Sequence, residues 1–128
     1  MIRKIVTLVG AAAAAVALVS QLASAAQGAN WFDVYGGGGN AWGHVVINGT
    51  AVSAQNIRVK DTECNSQWTS LQIRVEGSVR TFTTAGYTCG DTIGPFNGPL
   101  GTLSSQSAAV SVRMCAQSGS CAEWRYLN

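Results

Sequence analysis

From Trp31 onward, apolar and polar positions alternate in short runs separated by glycine, asparagine or serine, the period of half-buried β-strands. Trp31 to Tyr35 (WFDVY) reads as a first strand, and the four glycines Gly36 to Gly39 as a loose turn, because glycine supplies no packing and is costly to order. Ala41 to Asn48 is a second strand ending at an Asn48-Gly49 turn signal. A third strand, Ala54 to Glu63, sets Ile57 and Val59 on one face and Arg58 and Lys60 on the other. Trp68 to Val75 and Val79 to Thr84 form a hairpin around Gly77-Ser78. That two-residue turn pairs Ile73 with Phe82 and Arg74 with Thr81, and keeps Arg74 away from Arg80. Gly90 to Ser107, rich in glycine, proline and serine, reads as a loop of about 18 residues, long enough to be functional or mobile.

The last 21 residues, Ala108 to Asn128, form a closing hairpin. Pairing Cys115 with Cys121 sets Met114 against Ala122, Val112 against Trp124 and Val110 against Tyr126 on an apolar face. Arg113 then meets Glu123 on the wet face, with Arg125 facing water. About seven short strands result, and no stretch after residue 25 has helical periodicity. The expected fold is an all-β, small antiparallel β-sandwich, with a small β-barrel as the alternative.

The amino-terminal segment changes the composition. Arg3 and Lys4 precede the uncharged run Ile5 to Val19, and Ala23-Ser24-Ala25 is a small-residue cleavage site. Residues 1–25 therefore read as a secretion signal that is removed, and 26–128 as a single β domain. The run is too short and too alanine-rich for a membrane span, so no membrane association is expected after signal removal. Without Arg3 and Lys4, six basic residues (Arg58, Lys60, Arg74, Arg80, Arg113, Arg125) balance six acidic ones (Asp33, Asp61, Glu63, Glu76, Asp91, Glu123). A neutral chain lacks the dense positive charge of a nucleic-acid binder. All four cysteines fall in the exported part, where disulfides are favoured. The hairpin register brings Cys64 and Cys89 nearly opposite, so the expected bridges are Cys64–Cys89 and Cys115–Cys121.

Catalytic chemistry is thinly provided. His44 is the single histidine, set among Val45-Val46-Ile47, and reads as a strand residue. No serine carries a nucleophile signature, and the cysteines are committed to bridges. Asp61 and Glu63 form a carboxylate pair at a strand end, the only basis for a small hydrolase, though two solvent-facing residues there suffice to explain them. No metal site or cofactor is expected.

Ten aromatic residues exceed what a core of this size needs. Adjacent strand residues face opposite ways, so either Trp31 or Phe32 is exposed. Trp31, Phe32, Tyr35 and Asn40, around the glycine turn, and Phe96 and Asn97, in the long loop, are the candidate binding residues for an extracellular protein or glycan. The expected function is that of a small secreted binding protein or inhibitor rather than an enzyme. A secreted toxin and a carboxylate-dependent hydrolase are the alternatives. Trp124-Arg125-Tyr126 resembles the tripeptide that tendamistat-type α-amylase inhibitors, also small secreted two-disulfide β-sandwiches, present to their target. Here the tripeptide follows the last cysteine, whereas in that family it lies in a turn inside the first disulfide loop. The resemblance implies a scaffold able to inhibit, without carrying the activity over.

Overall fold

The computed structural model describes residues 27–84 and 90–127. They form eight strands: β1 (Gly28–Gly36), β2 (Gly39–Asn48), β3 (Ala51–Asp61), β4 (Thr69–Val75), β5 (Ser78–Thr83), β6 (Thr92–Thr102), β7 (Val110–Ala116) and β8 (Arg125–Tyr126). Two open antiparallel sheets, β1-β2-β3-β6 and β5-β4-β7-β8, lie face to face as a sandwich. β3 and β6 are neighbours in the first sheet, and β4 and β7, the strands that follow them in the chain, are neighbours in the second. This interlocks the two sheets. The core fills the space between them with Phe32, Val45, Ile47, Ile57 and Val59 from one side and Leu71, Ile73, Val112 and Met114 from the other. Each such side chain contributes about 1.5–3 kcal/mol on burial. The strict alternation of buried and half-buried positions along β2 is what fixes which side chains face out.

The glycine run is not a loose turn. Gly36 and Gly39 pair as strand residues, and only Gly37 and Gly38 turn, with φ of 58° and 78°. Two successive positive φ values make the mirror-image hairpin turn whose twist matches its strands. The turn then lies directly on the Cys115–Ala116 backbone of the second sheet, leaving no room for a β-carbon at Gly37.

The β4–β5 hairpin turns at Glu76-Gly77 rather than Gly77-Ser78, so Leu71 faces Phe82 and Ile73 faces Arg80. A shift of two keeps every side chain on its expected face, and Arg74 meets Val79, so charge repulsion does not choose between the registers. Glu76 adopts φ 54°, and its Oε1 accepts from the Ser104 backbone N–H (2.6 Å) and hydroxyl (2.7 Å). A contact 28 residues away therefore helps to hold the turn. These bonds favour the carboxylate and lower the Glu76 pKa below its ordinary value. A depressed carboxylate contributes stability above its unfolded pKa and loses it as pH falls through the folded one. Glu76→Gln should therefore lower the melting temperature at neutral pH, and the gap from wild type should close on acidification; a gap constant with pH in thermal melts would contradict this.

Residues 90–107 are not a loop either. Most of the stretch is β6, which pairs with β3 through three irregular steps. Pro95 and Pro99 are tolerated because β6 is an edge strand, where a missing N–H need not break a ladder. Leu100 and Leu103 anchor this segment in the core.

The closing hairpin has the expected Cys115–Cys121 bridge. Cys64 is also disulfide-bonded, and its expected partner, Cys89, lies outside the described residues, as does the expected signal segment. Beyond the bridge, Ser111 pairs with Tyr126 and Val112 with Arg125. The returning side holds one residue more than the outgoing side between the bridge and this pair, and a one-residue slip exchanges the two faces. Trp124 and Tyr126 consequently lie on the outer face of the second sheet, correcting their expected place in the core, while Arg125 moves to the side of the first sheet and stays exposed to water, as expected. The gain that supports the slip is Leu127, which is buried in the core and whose N–H donates to the Val110 carbonyl at 2.9 Å.

Candidate functional site

Alternation along β1 buries Phe32 and Val34 and turns Trp31, Asp33 and Tyr35 outward. Along β2 it buries Ala41, Gly43 and Val45 and turns Asn40, Trp42 and His44 to the same outer face. The register then assembles three rows: Trp31–His44–Gln55, Asp33–Trp42–Arg58 and Tyr35–Asn40–Lys60. A bulge in β3 opposite Gly43, where a β-carbon would strike the Ile57 backbone, separates the first row from the other two.

Trp31 is 57% exposed and Tyr35 69% exposed. Four residues apart on one strand, they stand ~13 Å from each other, with the half-buried Trp42 on the neighbouring strand between them. The Trp31 ring meets His44 edge-on, with centroids 5.1 Å apart. Asn40 Nδ2 donates to Asp33 Oδ1 (2.6 Å) and to the Val34 carbonyl (3.1 Å). Tyr35 Oη lies 3.5 Å from the other oxygen of Asp33. The acid of this face is thus held by its neighbours, while Arg58 and Lys60 take part in no ion pair among the described residues. The result is a partly exposed aromatic face with a free basic border.

Of the expected binding residues, Trp31, Tyr35 and Asn40 come together here. Phe32 does not join them: at 0% exposure it is a core residue, because Phe32 and Val34 are the β1 pair that faces the second sheet. Phe96 and Asn97 lie elsewhere, at the β5–β6 edge of the sandwich. Phe96 packs on Phe82 with centroids 4.7 Å apart, and Asn97 Oδ1 accepts from the Asn56 N–H in the β3 bulge at 3.0 Å. They help line a cleft of about 250 Å³ with Arg80 and Leu100, but the roles visible for them are packing and bulge support. The glycine turn, expected to be presented, is instead docked on the second sheet.

Asp33, Trp42, His44, Arg58 and Lys60 are the main face residues missing from the sequence-based set. For Trp42 and His44 the signal is the period-two pattern Asn40-x-Trp42-x-His44, which places both beside Asn40 once Ala41 and Val45 are assigned inward.

Asp61 and Glu63 are both engaged in local hydrogen bonds. Asp61 is buried, not solvent-facing, and its Oδ1 accepts the Glu63 N–H at 3.0 Å; Glu63 Oε2 accepts from Asn65 Nδ2 at 2.8 Å. Both carboxylates serve the turn that follows β3, beside a cleft of about 170 Å³. The described residues contain no group of three or more His, Cys, Asp or Glu side chains placed to hold a metal.

No protein-family model, no curated protein and no solved structure matches the chain. The tripeptide Trp124-Arg125-Tyr126 is divided by the fold: Trp124 and Tyr126 face outward from the second sheet, while an Arg125 Nη donates to the Asp33 carbonyl of β1 at 2.9 Å. Among the described residues no helix is long and apolar enough to cross a membrane.

Proposed function

We propose that the protein is an exported, non-catalytic binding module that docks a glycan on the outer face of its first sheet. The observation that carries this reading is the exposure of Trp31 and Tyr35 on one strand face with Trp42 between them. Contiguous aromatic exposure is unfavourable in water and marks interaction surfaces. The planar faces of aromatic rings suit the apolar faces of sugar rings. Asp33, Asn40, His44 and Lys60, interleaved with the rings, supply donors and acceptors for hydroxyl groups. The disulfides fit an oxidising compartment.

The test is titration of the protein with a panel of soluble neutral and uronate-containing polysaccharides, read by tryptophan fluorescence and calorimetry. A member of the panel should bind saturably, and Trp31→Ala and Tyr35→Ala should each weaken it about tenfold, the equivalent of roughly 1.4 kcal/mol, with unchanged melting temperatures. Glycan binding that survives the double substitution would place the ligand on another surface. A panel without binding, together with saturable capture of a purified extracellular protein by the same face, would replace glycan by protein.

A further inference from the structure

We propose that the outer face of the second sheet holds a binding site for a tetrahedral oxyanion, sulfate or phosphate, free or carried as an ester, built from Arg74, Arg113, Trp124 and Tyr126. The site is on the opposite side of the sandwich from the aromatic face of β1 and β2 and stands independently of its role.

Arg74 on β4 lies opposite Ser111, and Arg113 on β7 lies opposite Gln72, which makes the two arginines diagonal neighbours on adjacent strands. Their guanidinium carbons both stand 4.2 Å from the centroid of the Trp124 ring, so they lie within twice that distance of each other. Among the described residues every hydrogen-bond partner of these guanidinium groups is neutral. Arg74 Nε donates to Ser111 Oγ (3.1 Å) and an Nη of Arg74 to the Tyr126 hydroxyl (3.3 Å); Arg113 Nε donates to Gln72 Oε1 (2.8 Å). Among the described residues neither arginine forms an ion pair. Glu76, two residues along from Arg74, is turned to Ser104, and Glu123, beside Trp124, takes part in no ion pair.

Two like charges gathered on one ring with no acid paired to either are mutually repulsive, and an anion bound by both offsets that repulsion. The hydrogen bonds fix both Nε atoms and leave Nη groups of both arginines available. A guanidinium fork matches the oxygen geometry of phosphate and sulfate. Tyr126, having accepted from Arg74, still has its own hydroxyl hydrogen to donate. The cation–π contacts with Trp124 and the neutral bonds hold the forks in place before the ligand arrives, which lowers the ordering cost of binding. The exposed Tyr126 leaves one side of the group open to solvent.

The one-residue slip in the closing hairpin creates this arrangement, because it brings Trp124 and Tyr126 to the arginine face. The experiment titrates sodium sulfate and sodium phosphate into the protein at constant ionic strength set with chloride, following the Trp124 indole N–H by NMR. A saturable shift is expected with sulfate or phosphate. Arg113→Gln and Arg74→Gln should each weaken it at least tenfold, Arg113→Lys should fall between wild type and Arg113→Gln, and the exposed Arg80→Gln on β5 should be unchanged. Circular dichroism confirms that each variant is folded. Competition by a sulfated oligosaccharide or a phosphoserine peptide more effective than the free ion would identify the ester as the source; equal potency would identify the free ion. The proposal is overturned if the shift is linear in anion concentration, or if it persists in the folded Arg74→Gln, Arg113→Gln double variant.

Discussion

Gly37→Ala should destabilise the fold by about 2–5 kcal/mol, the combined scale of a left-handed non-glycine residue and of forced overpacking. Two separate effects act at this position. Gly37 holds φ 58°, which an alanine adopts only with strain. Its added β-carbon would also overlap the carbonyl group of Cys115 and the nitrogen of Ala116, backbone atoms of the opposite sheet that cannot rotate away. Gly49→Ala separates the two effects. Gly49 has nearly the same conformation, φ 64°, with nothing near the position of the new β-carbon. Its cost should be the conformational part alone, roughly 1–2 kcal/mol. Urea unfolding of the two variants measures the difference; equal losses would mean that the β1–β2 turn does not rest on the second sheet.

Phe32→Ala should cost about 3–5 kcal/mol, the range for emptying a large aromatic site in a packed core. Trp31→Ala, one residue earlier, should stay within about 0.5 kcal/mol, the scale of surface substitutions. Phe32 has no exposed surface, whereas Trp31 is more than half exposed and its described ring contact is the edge-on meeting with His44. For a domain of this size the first change should lower the melting temperature by more than about 10 °C. Together the pair reads the facing of β1 directly. A large loss in Trp31→Ala with a small one in Phe32→Ala would reverse the strand and move the aromatic surface inside.

The failures of local reasoning share a cause. A strand pattern specifies a face only relative to a register, and a register depends on where the turn falls. For β4 and β5 the slip was by two, which left the faces intact. In the closing hairpin it was by one, and Trp124, Arg125 and Tyr126 all changed sides. The stretch from Gly90 to Ser107 misled for another reason: its prolines and glycines argue against a central strand, but an edge strand accepts them. That β6 lies at an edge is decided by its pairing with β3, some forty residues earlier in the chain.

The candidate surface was legible in part. WFDVY already contained the choice, since Phe32 and Val34 form an apolar pair and Trp31, Asp33 and Tyr35 do not. Trp31, Tyr35 and Asn40 were accordingly within reach, and Trp42 could be added from its spacing to Asn40. Arg58 and Lys60 were assigned to a wet face without any sign that this face was the aromatic one. The arginine cluster around Trp124 could not be read at all.

What the sequence determined by itself is what depends on neighbours along the chain: the all-β class, the alternation that selects most of the core, the turn after Asn48 and the short Cys115–Cys121 loop. The tertiary structure alone decided which wet faces coincide, that the glycine turn is buried against a second sheet, and that the terminal hairpin slips by one residue. The reason is that these outcomes minimise a sum over both sheets. Burying Leu127 and seating Gly37 on Cys115 are gains made by residues far apart in sequence, and no local window contains both sides of either contact.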